Sequence, residues 1–199
     1  MILFYMALSM IMVLPGDIVL SEIMYNPDGP TLGADDSFEW VELCNLSPEP
    51  VQLEGMMLSD GGNQLFLDSY ALSPLSRVIV AADPDSFQSA YGYSAAVVYW
   101  DGEWTKLSNS SDQLILYSAS GEVLDELAYS DEWGIAEGDS TRSGADGSGS
   151  SLEKIDLSGP NGPGNWAPSV DYACPSTDPD DGSSVCWGTP GEINSLEAQ

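Results

Sequence analysis

Short apolar runs, each closed by a turn signal, set the pattern of this chain. Residues 17–25 (DIVLSEIMY) mix β-branched and other apolar positions. They stop at Asn26-Pro27-Asp28-Gly29-Pro30, a cluster that cannot continue a strand ladder. A polar loop runs to Ser37. Residues 38–45 (FEWVELCN) set Phe38, Trp40, Val41 and Leu43 against Glu39, Glu42 and Asn45, close to the period of a half-buried strand. Ser47-Pro48-Glu49-Pro50 breaks that run. Residues 51–53, a turn at Glu54-Gly55 and residues 56–59 follow. The tight turn Asp60-Gly61-Gly62-Asn63 leads into an extended run at 64–67.

Residues 77–82 (RVIVAA) are almost continuously apolar, which predicts a central strand buried on both faces. Asp83 and Pro84 are an N-cap and first-turn pair that opens one short helix over 86–91. Residues 95–100 predict a further strand. Residues 113–117 and 122–129 flank Ser118-Ala119-Ser120-Gly121 and read as a hairpin. Many short strands with frequent turns, and no long amphipathic helix, predict an all-β sandwich or barrel.

The C-terminal third changes character. Residues 136–150 are rich in Gly, Ser and Asp and predict a flexible loop. Residues 151–156 (SLEKID) predict a short strand. The Gly/Pro/Asn stretch after it closes on Trp166, an aromatic expected to dock back. Residues 174–186 form a Cys-bounded acidic loop, Gly188-Thr189-Pro190-Gly191 turns, Asn194 ends the ordered part, and 195–199 is a tail.

The first sixteen residues are apolar without helical period and stop at Asp17. They are too short to cross hydrocarbon about 30 Å thick as a helix, and they fit a signal-peptide core. No Lys or Arg precedes the run, and no A-x-A site precedes Asp17. Export then predicts a secreted or cell-surface protein, with no membrane span after signal removal, and permits a Cys174–Cys186 disulfide closing a short loop. Cys44, in a strand-like run, is expected to be a buried free thiol.

Composition narrows the function classes. Apolar residues make up 43% of the 199, too many for a disordered acidic tail. Asp and Glu number 32 against four Lys and Arg, for a net charge of −28. Such a surface repels nucleic acid and anionic membranes, so neither is expected as a partner. A halophile's solvated surface, plain extracellular solubility and specific cation sites all accommodate the acid excess. The chain has no His, which removes the usual general base, a common zinc ligand and the Ser-His-Asp triad.

Four pieces of the chain are similar to a lamin tail domain of the bacterial secreted kind. The first is Ile18-Val19-Leu20-Ser21-Glu22-Ile23 followed by Asn26-Pro27. The second is Phe38-Glu39-Trp40-Val41-Glu42-Leu43 with Asn45, then Val51, Leu53 and Gly55. The third is Gly149-Ser150-Ser151-Leu152-Glu153-Lys154, where Lys154 stands in place of the family's usual Arg. The fourth is Trp166, then Gly188-Thr189-Pro190-Gly191-Glu192 and Asn194. The resemblance implies an immunoglobulin-like β-sandwich over 17–194, with one short helix and long acidic and Gly/Ser loops. It implies no catalytic residues. It makes Glu22, Glu39, Trp40, Glu42, Asn45, Gly55, Trp166, Thr189, Pro190, Gly191 and Asn194 structural motif positions.

Function then reads as a non-catalytic secreted module, monomeric, that binds a protein or glycan at a cell surface or matrix, or spaces other modules. The alternative is a fragment or accessory domain of a secreted nuclease- or phosphatase-type hydrolase. Glu39 and Glu42, three apart on a strand, point to opposite faces, so they do not make a converging acid/base pair. One of them is expected to accept turn amide N–H groups, and Glu22 invites the same reading. Trp40 and Trp166 are expected in the core, with an exposed carbohydrate platform as the alternative.

Asp178, Asp180 and Asp181 are the candidate cation ligands, for Ca²⁺ as the only cofactor in view. They depart from an EF-hand, because Gly182 comes one place early and Thr189 replaces the closing Glu. Asp28, Asp35 and Asp36 form a second acidic cluster, and a solvated loop is the alternative for both. Asn45-Leu46-Ser47 and Asn109-Ser110-Ser111 match glycosylation sequons.

Overall fold

The computed structural model describes residues 12–92, 94–134, 144–170 and 188–197. In chain order, β1 (Ile18–Met24) leads to two single-turn helices, α1 (Gly29–Leu32) and α2 (Asp35–Phe38). Next come β2 (Trp40–Asn45), β3 (Val51–Gln52), β4 (Met57–Ser59), β5 (Gln64–Leu67), β6 (Ala71–Leu72) and β7 (Arg77–Ala81). Then follow α3 (Pro84–Tyr91), β8 (Trp100–Gly102), β9 (Ser111–Tyr117), β10 (Val123–Ser130), β11 (Leu152–Lys154) and β12 (Trp166–Pro168).

Two five-stranded sheets result, in the orders β12-β11-β1-β2-β7 and β10-β9-β4-β5-β8, with β3-β6 as a small third sheet. All the ladders between these strands are antiparallel. The inward residues follow the pleat. Ile18, Leu20 and Ile23 of β1, Val41 and Leu43 of β2, and Val78 and Val80 of β7 meet Leu58, Leu65, Leu114, Leu116 and Leu127 of the facing sheet in one buried cluster. Each such side chain contributes roughly 1.5–3 kcal/mol on leaving water. The result is an immunoglobulin-like β-sandwich.

The outer face of the first sheet is covered as well. Trp40, Ile79 and Ala81 pack under Phe87, Ala90 and Tyr91 of α3. Trp40 stands edge-on to Phe87 and Tyr91, with ring centroids 5.9 and 5.7 Å away. α3 begins where Asp83 accepts the Ser86 N–H at 2.9 Å. The hairpin at 113–129 forms as β9 and β10, and Asp60 Oδ1 takes the Gly62 and Asn63 N–H groups in the β4–β5 turn.

Four expectations are corrected. First, residues 77–81 do not form a central strand. β7 ends its sheet, and its apolar run is buried because α3 covers one face and residues 96–98 run along its outer edge through Ile79. Second, β2 is buried at all six positions rather than on one face, since its outward residues lie under α3 and the C-terminal segment. Third, the stretch after Asn26 is not all loop and α3 is not the only helix. Fourth, the strand expected over 95–100 is reduced to an isolated bridge at Val97, and a strand, β8, begins only at Trp100. In the described part of the 136–150 stretch, Asn26 donates to Asp146 at 2.6 Å, Gly147 N–H donates to the Asn26 carbonyl, and Ala145 is buried in the core.

Candidate functional site

Three strands bring three glutamates into one row. A shift in register between Leu20 and Glu22 makes Ser21 an extra residue in β1, so Glu22 turns to the outer face while Leu20 and Ile23 both stay inward. There Glu22 lies directly opposite Glu42 of β2 on one side and Glu153 of β11 on the other. All three are fully buried. Like charges directly opposite across strands repel, so this arrangement needs donors.

The segment 188–197 supplies most of them. The Thr189 N–H donates to Glu22 Oε1 at 3.0 Å, and the Thr189 hydroxyl contacts Glu22 Oε2 at 3.1 Å and Glu153 Oε1 at 2.9 Å. The Gly191 N–H donates to Glu42 Oε2 at 2.7 Å, and Ser195 donates to Glu153 Oε2 at 2.5 Å. From the sheet itself, Ser21 donates to Glu42 at 2.6 Å and Ser151 to Glu22 at 2.5 Å. Asn194 Nδ2 ties the Ser21 and Lys154 carbonyls together, filling the acceptor that the bulge leaves open. Arg77 Nε lies 3.3 Å from Glu42 Oε1, an ion pair without hydrogen-bond geometry, and the Arg77 guanidinium also donates to Glu197.

One buried guanidinium faces three buried carboxyls. Burial first, then the charges of Glu42 and Glu153, holds the Glu22 carboxyl well above the usual carboxylate range. Burial pushes Glu42 up to about 8, against the pull of the Ser21 and Gly191 hydrogen bonds and of Arg77. Among the described residues no group of three acidic or sulfur ligands is placed to hold a metal ion. The row therefore works as a latch: it fastens the C-terminal segment across β11, β1 and β2. Gly188 is part of its fit, because a Cβ there would lie 2.7 Å from Glu22 Oε1 and 2.9 Å from Ser151 Oγ.

The remaining motif residues hold other joints. Glu39 Oε2 accepts the Trp104 indole N–H at 2.6 Å and the Leu107 N–H at 3.0 Å, fixing the β8–β9 connection. Asn45 donates to the Glu49 and Leu72 carbonyls at 2.9 Å and accepts from Ser47, ending β2 and seating the β3–β6 pair. With both amide hydrogens engaged and no exposure, Asn45 is closed to glycosylation in the folded chain. Trp40 and Trp166 are both buried, and Trp166 donates to Asn161 at 3.1 Å. Gly55 takes φ +76° in the β3–β4 turn, and Pro190 sits half-buried between Thr189 and Gly191.

The structure thus brings Glu22, Glu42, Thr189, Gly191 and Asn194 together and leaves Glu39, Asn45, Gly55 and Trp166 apart from them. Glu153, Ser21, Ser151, Ser195 and Arg77 complete the latch without having stood out in the sequence. Alternation in 151–154 could have placed Glu153 on the face opposite Leu152. Cys44 is a buried free thiol, pushed up to about 11 by burial, and so a poor nucleophile. Asp178, Asp180, Asp181, Cys174 and Cys186 lie outside the described residues, as does most of the 1–16 segment. Among the described residues no helix is long and apolar enough to cross a membrane.

A family model described as Lamin Tail Domain matches residues 14–131. No curated protein matches the chain. The match holds the first two of the four similar pieces. Residues 149–154 and 166–194 fall beyond it, yet β11 and β12 extend the same sheet beside β1. A match over more than half of the chain, on a sandwich of two antiparallel sheets, shows that this protein belongs to the lamin tail domain family, a family of non-catalytic immunoglobulin-like modules.

Proposed function

We propose that the chain is a non-catalytic lamin-tail module that binds or anchors, exported to the cell surface or extracellular space, where it meets a protein or glycan partner as a monomer. One observation carries the non-catalytic part: the motif carboxylates of Glu22, Glu39 and Glu42 are buried and occupied by backbone N–H groups, hydroxyls and an indole of the fold itself. A general acid or nucleophile must reach a substrate atom, and these do not. Recognition then falls to the outer surface. A net charge of −28 favours partners with cationic patches and disfavours nucleic acid.

Immobilised full-length chain is exposed to envelope, matrix and glycan fractions, with saturable retention as the readout. Saturable capture of a surface protein or glycan supports the reading. No capture, together with hydrolysis of a phosphodiester or glycoside substrate in Ca²⁺, Mg²⁺ or Mn²⁺, replaces it with the hydrolase-accessory reading.

A further inference from the structure

The two sheets differ in what their outer faces show. The first is covered by α3 and by the C-terminal segment. The second leaves large side chains in water: Phe66 of β5 is 46% exposed, Val123 of β10 43%, and Tyr99, just before β8, 56%. The ladders align them. Phe66 lies opposite Met57 of β4, Met57 opposite Tyr117 of β9, and Tyr117 opposite Val123. That is one apolar row across four strands, about 14 Å at the usual strand spacing. At its β8 end Phe66 faces Asp101. The Asp68 N–H donates to the Tyr99 carbonyl at 2.9 Å, so Asp68 faces Tyr99 two residues along, on the same face by the pleat. Two rings and two exposed carboxylates therefore alternate around one square of the sheet.

A contiguous apolar row left in water marks a contact surface, and its flanking groups say for what. Aromatic faces attract cations, and carboxylates attract them as well. Exposed Glu126, opposite Ile115 of β9, adds to the negative field of the same face. The basic residues described lie elsewhere: Arg77 is held by Glu42 and Glu197 in the latch, Lys106 pairs with Asp36, and Lys154 belongs to the other sheet. A neutral glycan can use the rings but draws nothing from that field, and nucleic acid is repelled by it. We propose that the outer face of the second sheet docks a basic segment of a partner protein, which seats arginine or lysine side chains among the Phe66 and Tyr99 rings and the Asp68 and Asp101 carboxylates and lays apolar residues along Met57 and Val123. Arginine suits the square best, because a guanidinium both stacks on rings and meets carboxylates through paired N–H groups. The inference rests on the anchoring reading above and adds to it the face used and the chemistry of the partner.

The test titrates three synthetic peptides into the full chain by NMR, at about 0.15 M salt so that distant charges are screened. The first is two repeats of arginine-serine-leucine-serine, which puts arginine and leucine on one edge when extended. The second has serine in place of leucine, and the third has glutamine in place of arginine. The first should saturate, shift the amide signals of Phe66, Asp101 and Tyr117, and bind at least about tenfold tighter than either control. Phe66→Ser with Tyr99→Ser should remove that advantage, and both side chains are exposed, where substitutions cost the fold little. Asp68→Asn with Asp101→Asn should weaken the first peptide, while Glu49→Gln with Asp85→Asn, an equal loss of exposed charge elsewhere, should not. No saturable binding, equal binding of either control peptide, or unchanged binding by the ring variant overturns the proposal. A dimer in sedimentation that the ring variant abolishes assigns the face to a second copy of the chain and overturns it too. Saturable capture from envelope or matrix fractions that survives the ring variant overturns this face but leaves the anchoring reading standing.

Discussion

The Thr189 hydroxyl oxygen stands between two buried carboxyl groups, 3.1 Å from Glu22 Oε2 and 2.9 Å from Glu153 Oε1. A hydroxyl has one hydrogen to give. If it serves Glu153, the contact with Glu22 needs a proton from the Glu22 carboxyl. The raised affinity of Glu22 for that proton matches this assignment. Glu153 accepts from both Thr189 and Ser195.

Thr189→Val keeps the shape and deletes the shared oxygen. Buried groups lose their partner, so the variant should be less stable by about 1–3 kcal/mol. Thr189→Ser should recover most of the loss. Urea midpoints of the three proteins check this.

Glu22 and Glu42 hold protons more tightly folded than unfolded. Where the native state binds more protons, stability falls as pH rises. Their contribution is full below the unfolded value of 4.5 and is lost through about 8 for Glu42. Denaturant midpoints from pH 5 to 9 should therefore decline, and Glu42→Gln should flatten the slope. A midpoint that rises over that range contradicts the protonated latch.

Gly188→Ala places a methyl group within 3 Å of both Glu22 and Ser151. Overpacking of a fixed buried network costs about 1–3 kcal/mol. Thermolysin should also cut the C-terminal segment, at Ile193 or Leu196, faster in this variant, since the clash acts on the latch and not on the inter-sheet core.

With a net charge of −28, self-repulsion should dominate the response to ions. Melting temperature should rise with NaCl, and Ca²⁺ at matched ionic strength should add no further step. A Ca²⁺-specific rise, lost in Asp180→Asn, would instead assign Asp178, Asp180 and Asp181 to a metal site; saturation a hundredfold above the dissociation constant adds about 2.7 kcal/mol.

Strand positions were legible because period 2 and turn chemistry are local. The Asp60–Asn63 turn, the β9–β10 hairpin and the Asp83 cap all lie within a few residues of the groups that form them. Backbone N–H groups donate to Glu22, Glu39 and Glu42 alike, where the sequence offered that role to Glu22 and to one of Glu39 and Glu42. What stayed hidden is tertiary. The edge position of β7 depends on which segment lies along Ile79, and the apolar run reads alike in a central strand and a covered edge. The meeting of Glu22, Glu42 and Glu153 depends on a bulge at Ser21 and on strand order.

The latch has a consequence for how the chain comes to be folded. Asn194 bonds to Ser21 across 173 residues, and Thr189 to Glu22 across 167. Contacts so distant in sequence form slowly, and on a ribosome the later partner does not yet exist when the earlier one emerges. The hairpins of the second sheet can close during synthesis, while the bulged first strand waits with its glutamate still in water. The latch therefore closes only once residues 189–195 have been made, and a chain interrupted before Thr189 would carry an open acidic seam along its first sheet.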